Sequence, residues 1–412
     1  MTRVVVTGLG IVSPTGNNVA DSWRNTLAAE SGIDLITLFD TSAVPIKIAG
    51  EVKNFSSAHV MDLKESRRST RFVQMAVVAA KEALDDAGLQ LDKIDRKTFG
   101  VSIGAGIGGI QDIADNAVAM HLHGYKRVSP FLIPYSIPNM AAGMVSMNFG
   151  LSGPNICPTT ACTSGTHGIG EAFLLIKSGM AKCMIAGGAE SAIGSLSITA
   201  FGNMKALCAE YETPSTASRP FDLNRCGFVM GEGAGLLVLE EYDHAVKRGA
   251  KIYAEMIGYG MSGDAYHITS PAPEGEGAKR CMQMAMETAK IKPEQVDYIN
   301  AHGTSTKLND HFETLAIMGA FGEHAQKLSI SSTKGVTGHC LGAAGGIEAV
   351  YTIKALEDQL VPPTAHLTTP DPECPLDYTP LKSRSREIKY AMSNSFGFGG
   401  TNGTILFKKF EN

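Results

Sequence analysis

A cysteine stands at the seam between an apolar strand-like run and a Gly-rich helical run, in Thr160-Ala161-Cys162-Thr163-Ser164-Gly165-Thr166-His167. At a helix amino terminus the macrodipole and the free amide N–H groups favour the thiolate, which makes such a thiol a nucleophile. Most cysteines are small buried core residues, and the seven others here read that way; the Ala-Cys-Thr-Ser-Gly context sets Cys162 apart. Two later segments each deliver a histidine just past a strand signal: Asn300-Ala301-His302-Gly303-Thr304-Ser305-Thr306 and Lys334-Gly335-Val336-Thr337-Gly338-His339. A thiolate can take an acyl group from a thioester, while two neutral imidazoles donate N–H bonds to the carbonyl oxygen of a second thioester. Loss of CO2 from that second group leaves an enolate, whose oxygen is where a preorganised donor contributes about 2.7–4 kcal/mol. The three residues together point to carbon–carbon bond formation on a thioester.

Short apolar strands (4–7, 99–103, 183–187 and 236–239) alternate with helical periodicity, clearest over Phe72–Ala87 and ended by Gly88, which is an α/β signature. The plan repeats. Cys162 lies five residues before His167 and Lys334 five before His339, and each segment leads into a helix, expected near 170–177 and 343–356. Two Gly-rich turns, from Gly231 and from Gly399, lead into closing strands. The spacing predicts a duplicated α/β core whose halves, 1–250 with the cysteine and 251–412 with the histidines, meet near residue 250 without a linker.

With 412 residues, 44% hydrophobic and 19% charged, the chain is large enough for two domains or one duplicated core. A formal net charge of −5 gives no global field for nucleic acid, so an acidic partner needs a local basic patch. Lys64, Arg67, Arg68 and Arg71 supply one ahead of a helix, where a solvated helix entry is the plain alternative. Eight cysteines without a CxxC pair suggest reduced thiols and a cytoplasmic location. An amino terminus that enters a strand at once leaves no room for a leader, and with no apolar run of 18 residues the chain is expected neither to be exported nor to enter a membrane.

In these segments, together with Val4-Val5-Val6-Thr7-Gly8-Leu9-Gly10, Ser218-Arg219-Pro220-Phe221-Asp222 and Asn394-Ser395-Phe396-Gly397-Phe398-Gly399-Gly400-Thr401-Asn402, the chain resembles the elongating, type II β-ketoacyl-acyl carrier protein synthases of fatty acid synthesis over nearly its whole length. The resemblance implies a duplicated thiolase-like fold of five layers, αβαβα, and a homodimer. It implies that Cys162 accepts the acyl group, that His302 and His339 polarise the malonyl thioester, and that Lys334 orients the groups behind them. Asp310, Glu313 and Glu348 match supporting charges of that inner network. Phe398 matches the gating residue of a Gly-Phe-Gly-Gly loop that includes Gly399; its backbone amide and that of Cys162 form the oxyanion hole. Thr304 and Thr306 match pantetheine contacts, and Ile107 and Phe201 line the acyl tunnel. Lys64, Arg67, Arg68 and Lys205 match the docking positions for acyl carrier protein, which brings its own phosphopantetheine, so that no cofactor or metal is implied.

Lys307 (where proline is usual), Cys226 (aspartate) and Cys340 (leucine) depart from the family pattern, and Tyr135 stands where it could reshape the tunnel. Gly104-Ala105-Gly106-Ile107-Gly108-Gly109 fits a dinucleotide-binding turn but has no acidic residue near Ser129 to hold a ribose. His121, His123 and His311 read as surface residues rather than metal ligands. A degradative thiolase would carry a second cysteine where Phe398 stands, and a non-catalytic chain-length partner would lack Cys162. A cysteine hydrolase has no need of two imidazoles. A polyketide ketosynthase shares the Cys-His-His set, and the Ser331-Ser332-Thr333-Lys334 context favours the fatty acid branch; acyl chain length stays open.

Overall fold

The computed structural model describes residues 2–411. Ten strands form one continuous sheet: β1 (Val4–Val12), β2 (Phe99–Gly104), β3 (Asn155–Ile156), β4 (Cys183–Glu190), β5 (Gly233–Glu241), β6 (Ala254–Gly263), β7 (Tyr298–Asn300), β8 (Ser329–Ser331), β9 (Tyr390–Gly397) and β10 (Thr401–Lys409). Their spatial order is β8-β7-β9-β10-β6-β1-β5-β4-β2-β3. Read outward from the antiparallel junction of β1 and β6, where Val4 faces Met256, the two sides repeat one pattern. In each half the first strand pairs antiparallel with the fifth and the fifth antiparallel with the fourth, and then the second and third follow in parallel. The duplication expected from the sequence is therefore a repeat of strand order.

The helices that matter here are α1 (Arg71–Asp86), α2 (Ile110–His123), α3 (Met140–Phe149), α4 (Ser164–Lys177), α5 (Ser195–Asn203), α6 (Glu276–Ala289), α7 (Lys307–Phe321) and α8 (Ala344–Asp358). Helix α1 packs on β1 and β5 beside α3, while α6 packs on β6 and β10 beside α7. Between the two halves lie α4 and α8, which touch each other and strands of both halves. These are the five layers of the thiolase-like arrangement.

Burial of both faces explains the strand composition: β1, β2 and β4 are buried along their whole length and are mostly apolar residues and Gly rather than alternations. The central helices are unusually glycine-rich because they nearly touch. A Cβ on Gly165 would lie 2.8 Å from the backbone of both Gly342 and Gly346, so only hydrogen fits. Helix α4 begins at Ser164 rather than near residue 170, and this longer reach puts its first turn against Cys162.

The repeat also differs in register from the one counted in the sequence. Each central helix is entered through a short 3-10 turn, Ala161–Thr163 before α4 and Leu341–Ala343 before α8. The first residue of each has positive φ, 52° at Ala161 and 48° at Leu341. Cys162 thus corresponds to Gly342, not to Lys334, and the shared spacing of five residues is a coincidence. His167 lies inside α4, where its Nδ1 meets Thr160 Oγ1 at 2.8 Å and its Nε2 meets the Asn402 carbonyl at 3.3 Å.

Candidate active site

A cavity of about 540 Å³ opens at the carboxyl ends of the parallel strands. Its lining brings together Cys162, His302, His339, Phe398, Ile107, Phe201, Thr304, Thr306, Glu313 and Lys205 from both halves of the chain. Mixed ownership follows from the fold. Cys162 arrives on the turn into α4, whereas His302 follows β7 and His339 precedes the turn into α8.

The half-buried Cys162 sits at the base of this cavity. Burial pushes its thiol up to about 12, against the pull of the Lys334 charge and the backbone N–H groups of Phe398 and Cys162 itself. Burial thus opposes the helix-end stabilisation expected from the sequence and favours the neutral thiol. Those same two N–H groups converge on the sulfur, where an oxyanion would form on an acyl-enzyme.

The His302 and His339 rings meet edge to face with centroids 5.2 Å apart. Burial, reinforced by the nearby Lys334 charge, holds both imidazoles well below the usual histidine range, so both are neutral. Nδ1 of each is buried without a partner, which leaves neither ring committed to the protein. Their backbones are held instead. The Glu313 carboxylate accepts the N–H of His302 at 2.8 Å and of Gly303 at 2.7 Å, and Lys334 Nζ donates to the His302 carbonyl at 2.6 Å.

Lys334 is also ion-paired with Glu348, so Lys334, Glu313 and Glu348 form the buried frame expected behind the histidines. Burial raises both glutamates to about 7. Asp310 belongs to a neighbouring frame: it accepts the Phe221 N–H at 2.8 Å and lies 3.3 Å from the buried Arg225 guanidinium. Arg225 in turn binds Asp371 at 2.6 Å and the Thr306 and Lys307 carbonyls at 3.2 Å each, fixing the loop that carries Thr304 and Thr306. Lys307 opens α7, with Thr306 as its cap, so the missing proline leaves that loop held by Arg225.

Phe398 is 37% exposed and its ring lies 6.3 Å from that of Phe201. Gly399 stands outside the cavity lining; its φ is 82° and its N–H donates to the Ile268 carbonyl at 2.8 Å. Gly400 faces Asp264, where a Cβ would come within 2.7 Å, and Asp264 also accepts from Asn402 at 2.6 Å. Asp264 and Asn402 anchor the loop bearing Phe398; Asn402 closes the late Gly-rich motif, whereas Asp264 carried no signal in the sequence.

Another group missed in the sequence is Glu190, fully buried at the end of β4. Its carboxylate accepts from the N–H groups of Gly106 at 2.6 Å, Ile107 at 3.1 Å, Gly108 at 2.9 Å and Gly342 at 3.3 Å. The glycine loop that mimicked a dinucleotide turn is therefore filled by the protein's own carboxylate, and it presents Ile107 to the cavity.

Lys64, Arg67 and Arg68 are exposed on a surface segment outside the cavity lining, with Arg68 stacked over Phe131 at 4.4 Å; Lys205 is exposed at the cavity rim. Arg71 does not belong to that patch, because it turns inward to Glu232 at 2.7 Å and to the Val52 carbonyl at 2.8 Å. Tyr135 is half-buried beside Phe131 and also lies outside the lining. Cys340 is buried, with its thiol directed at the Glu232 carbonyl at 3.4 Å. The expectation that all thiols are free fails at one pair: Cys208 and Cys226 form a disulfide with Cα atoms 5.0 Å apart. Cys183, Glu240 and His244 are the one group of metal-ligating types among the described residues, and Arg248 and Thr7 already engage that carboxylate. No helix among those residues is long and apolar enough to cross a membrane.

The chain matches the family model for the beta-ketoacyl synthase N-terminal domain over residues 1–245 and that for the C-terminal domain over residues 253–368. It is 50% identical over 409 residues to the 3-oxoacyl-[acyl-carrier-protein] synthase 2 of Synechocystis, covering 99% of this chain and 98% of that one. The Coxiella burnetii protein of the same name is 51% identical over 407 residues, with the same coverage. Among solved structures, a beta-ketoacyl synthase from Burkholderia phymatum superimposes with a TM-score of 0.93 at 35% identity, each chain fully covered. A ketosynthase solved in complex with its type II polyketide acyl-carrier protein gives 0.91 at 36%, again over both full chains. With both halves of the family model matched and relatives half-identical end to end, the chain belongs to the β-ketoacyl synthase family.

Proposed function

We propose that this protein catalyses the decarboxylative condensation that elongates fatty acids, joining an acyl group on Cys162 to malonyl-acyl carrier protein. The observation that carries the reading is the pair of neutral, uncommitted imidazoles sharing one cavity with a cysteine whose sulfur meets two backbone N–H groups. Cys162 loses its proton as it attacks the incoming thioester, the carrier thiol leaves, and an acyl-enzyme remains. His302 and His339 then donate N–H bonds to the thioester carbonyl of the malonyl group. The carbon–carboxylate bond breaks, CO2 leaves, and the electron pair is held as an enolate. Its carbon attacks the acyl-cysteine, the Phe398 and Cys162 N–H groups hold the oxyanion, and Cys162 departs from a 3-oxoacyl product on the carrier.

In this reading Lys334, Glu313, Glu348 and Asp310 position the histidine loops, and Thr304 and Thr306 meet the pantetheine arm. Ile107 and Phe201 bound the acyl chain, and Gly399 shapes the turn at Phe398. The reaction needs no cofactor or metal of the protein's own. Lys205 at the rim, with Lys64, Arg67 and Arg68, receives the acidic carrier, where exposed charge mainly governs encounter rate. The ketosynthase neighbour bound to its acyl-carrier protein supports such docking. A homodimer is favoured by the exposed apolar side chains Ile113, Val118, Leu122 and Met147 on α2 and α3, beside the unpaired outer edge of β3. The six free cysteines support a cytoplasmic location, and the repeated strand order supports halves divided near residue 250.

Intact mass after incubation with acyl-loaded carrier protein tests the first step. A single acyl adduct on wild type and none on Cys162→Ala is the expected result. An adduct that persists in the variant places the acyl group elsewhere and contradicts the reading.

A further inference from the structure

Cys226 faces the active-site mouth, and Cys208 lies buried just beyond the other segment that forms its wall. Met204, Lys205 and Ala206 line the cavity on one side, and Arg225, Cys226, Gly227 and Phe228 on the adjoining side. Between them runs a backbone bridge, with Cys208 N–H donating to the Phe228 carbonyl at 2.9 Å and Phe228 N–H to the Ala206 carbonyl at 3.0 Å. This pairing brings the two Cα atoms to 5.0 Å, within the span a disulfide requires. Phe228 carries the consequence inward, since its ring lies 5.4 Å from His339 and 5.6 Å from Phe201.

The two sulfurs differ in access. Cys208 is buried, at 1% exposure, whereas half-buried Cys226 opens also onto a second cavity of about 220 Å³ formed with Glu210, Tyr211, Arg219 and Asn224. A small disulfide can reach Cys226 through that outer cavity without passing Cys162. The remaining six cysteines are free, the pattern of a chain made where thiols stay reduced, and a disulfide there belongs to the exchangeable kind.

We propose that Cys208 and Cys226 form a reversible thiol–disulfide exchange site that fastens the carrier-facing mouth of the active site. The Cys226 thiolate attacks a low-molecular-weight disulfide, releasing one small thiolate and leaving a mixed disulfide. Cys208 then loses its proton and attacks the Cys226 sulfur, releasing the second small thiol. Two protein thiols are oxidised, one small disulfide is reduced to two thiols, and excess small thiol reverses both steps. When the bond is open, the Lys205 segment is tied to Phe228 by the backbone bridge and apolar packing but no longer by a covalent link. The loosened rim then binds carrier-borne substrate less well, while the chemistry at Cys162 is untouched. The site itself stands on geometry, and its effect on carrier binding rests on the function proposed above.

The experiment uses full-length protein equilibrated with either oxidised or reduced glutathione as the probe. Cleavage after Arg225 separates the two cysteines, so the bond appears as two linked tryptic peptides. The expected result is linkage in the oxidised sample only, with a several-fold lower KM for acyl-carrier substrate. The kcat per acylatable Cys162 should be equal in both samples. In Cys208→Ser, KM should no longer respond to the glutathione ratio. Unlinked peptides in oxidised protein, linkage that resists reduction in the folded state, or linkage without a change in KM would each overturn the proposal. Failure of linkage refutes the exchange site alone. An absent Cys162 adduct under both conditions refutes the functional reading.

Discussion

The turns that enter the two central helices are the same backbone object used twice. Ala161-Cys162-Thr163 and Leu341-Gly342-Ala343 are both 3-10 turns with a left-handed first residue, each at the end of a buried helix in the middle layer. One carries a thiol into the cavity. The other carries a glycine whose hydrogen faces the Gly106 N–H and the Glu190 carboxylate, where a Cβ would come within 2.4 and 2.7 Å. Duplication thus supplies two equivalent positions, one presenting a thiol to the cavity and the other packed against Gly106 and Glu190. The imidazoles are not duplicated: both come from the second half, with His339 immediately upstream of the turn that lacks a nucleophile.

The sharpest way to break this contrast is to remove the thiol. Cys162→Ala should lose acyl transfer and condensation entirely, as read by adduct mass and product release, because Gly342 offers no second nucleophile. Removing an imidazole acts on the other step. His302→Ala and His339→Ala should acylate at near wild-type rate yet decarboxylate malonyl carrier about 10²–10³-fold more slowly, the usual loss for one oxyanion donor. Release of labelled CO2 measures this, and unimpaired release by both variants would remove the histidines from the mechanism.

Gly342→Ala probes the packing turn. Its Cβ must displace Gly106 or Glu190, which should cost roughly 1–3 kcal/mol of stability by overpacking and shift the denaturant midpoint without changing the slope. An unchanged midpoint would show that this turn is not tightly held. The smallest effect concerns the resting thiol. With Cys162 pushed to about 12, its alkylation by iodoacetamide should keep rising with pH through 9, about tenfold per unit, with no plateau near neutrality. A plateau below pH 8 would mean that the helix end and Lys334 outweigh burial.

The residues proposed to do the chemistry were legible because their signals are local. A cysteine at a strand-to-helix seam and histidines just past β-strand ends declare themselves in a few neighbours, and resemblance to known condensing enzymes supplied their partners. The α/β plan was legible for the same reason, through short apolar runs punctuated by glycine. What escaped was non-local. Glu190 is a lone acid in an apolar strand, and only folding brings it under a loop more than 80 residues earlier. The spacing of the chemical residues suggests a false register for the repeat, because the fold repeats a backbone turn. Cys208 and Cys226 are 18 residues apart without a pairing motif, and a backbone bridge rather than spacing unites them. Arg71 looked like part of a basic surface until its guanidinium was seen to serve buried Glu232.

The division of labour between the halves is tested most directly in a single turnover. Acyl-loaded Cys162 enzyme, freed of donor carrier, is mixed with malonyl carrier, and the adduct is followed by intact mass in wild type and in His339→Ala. Wild type should discharge its adduct as 3-oxoacyl product while the variant keeps its acyl group. Equal discharge in both would show that the acylated half completes the reaction without His339, and would contradict the roles assigned here.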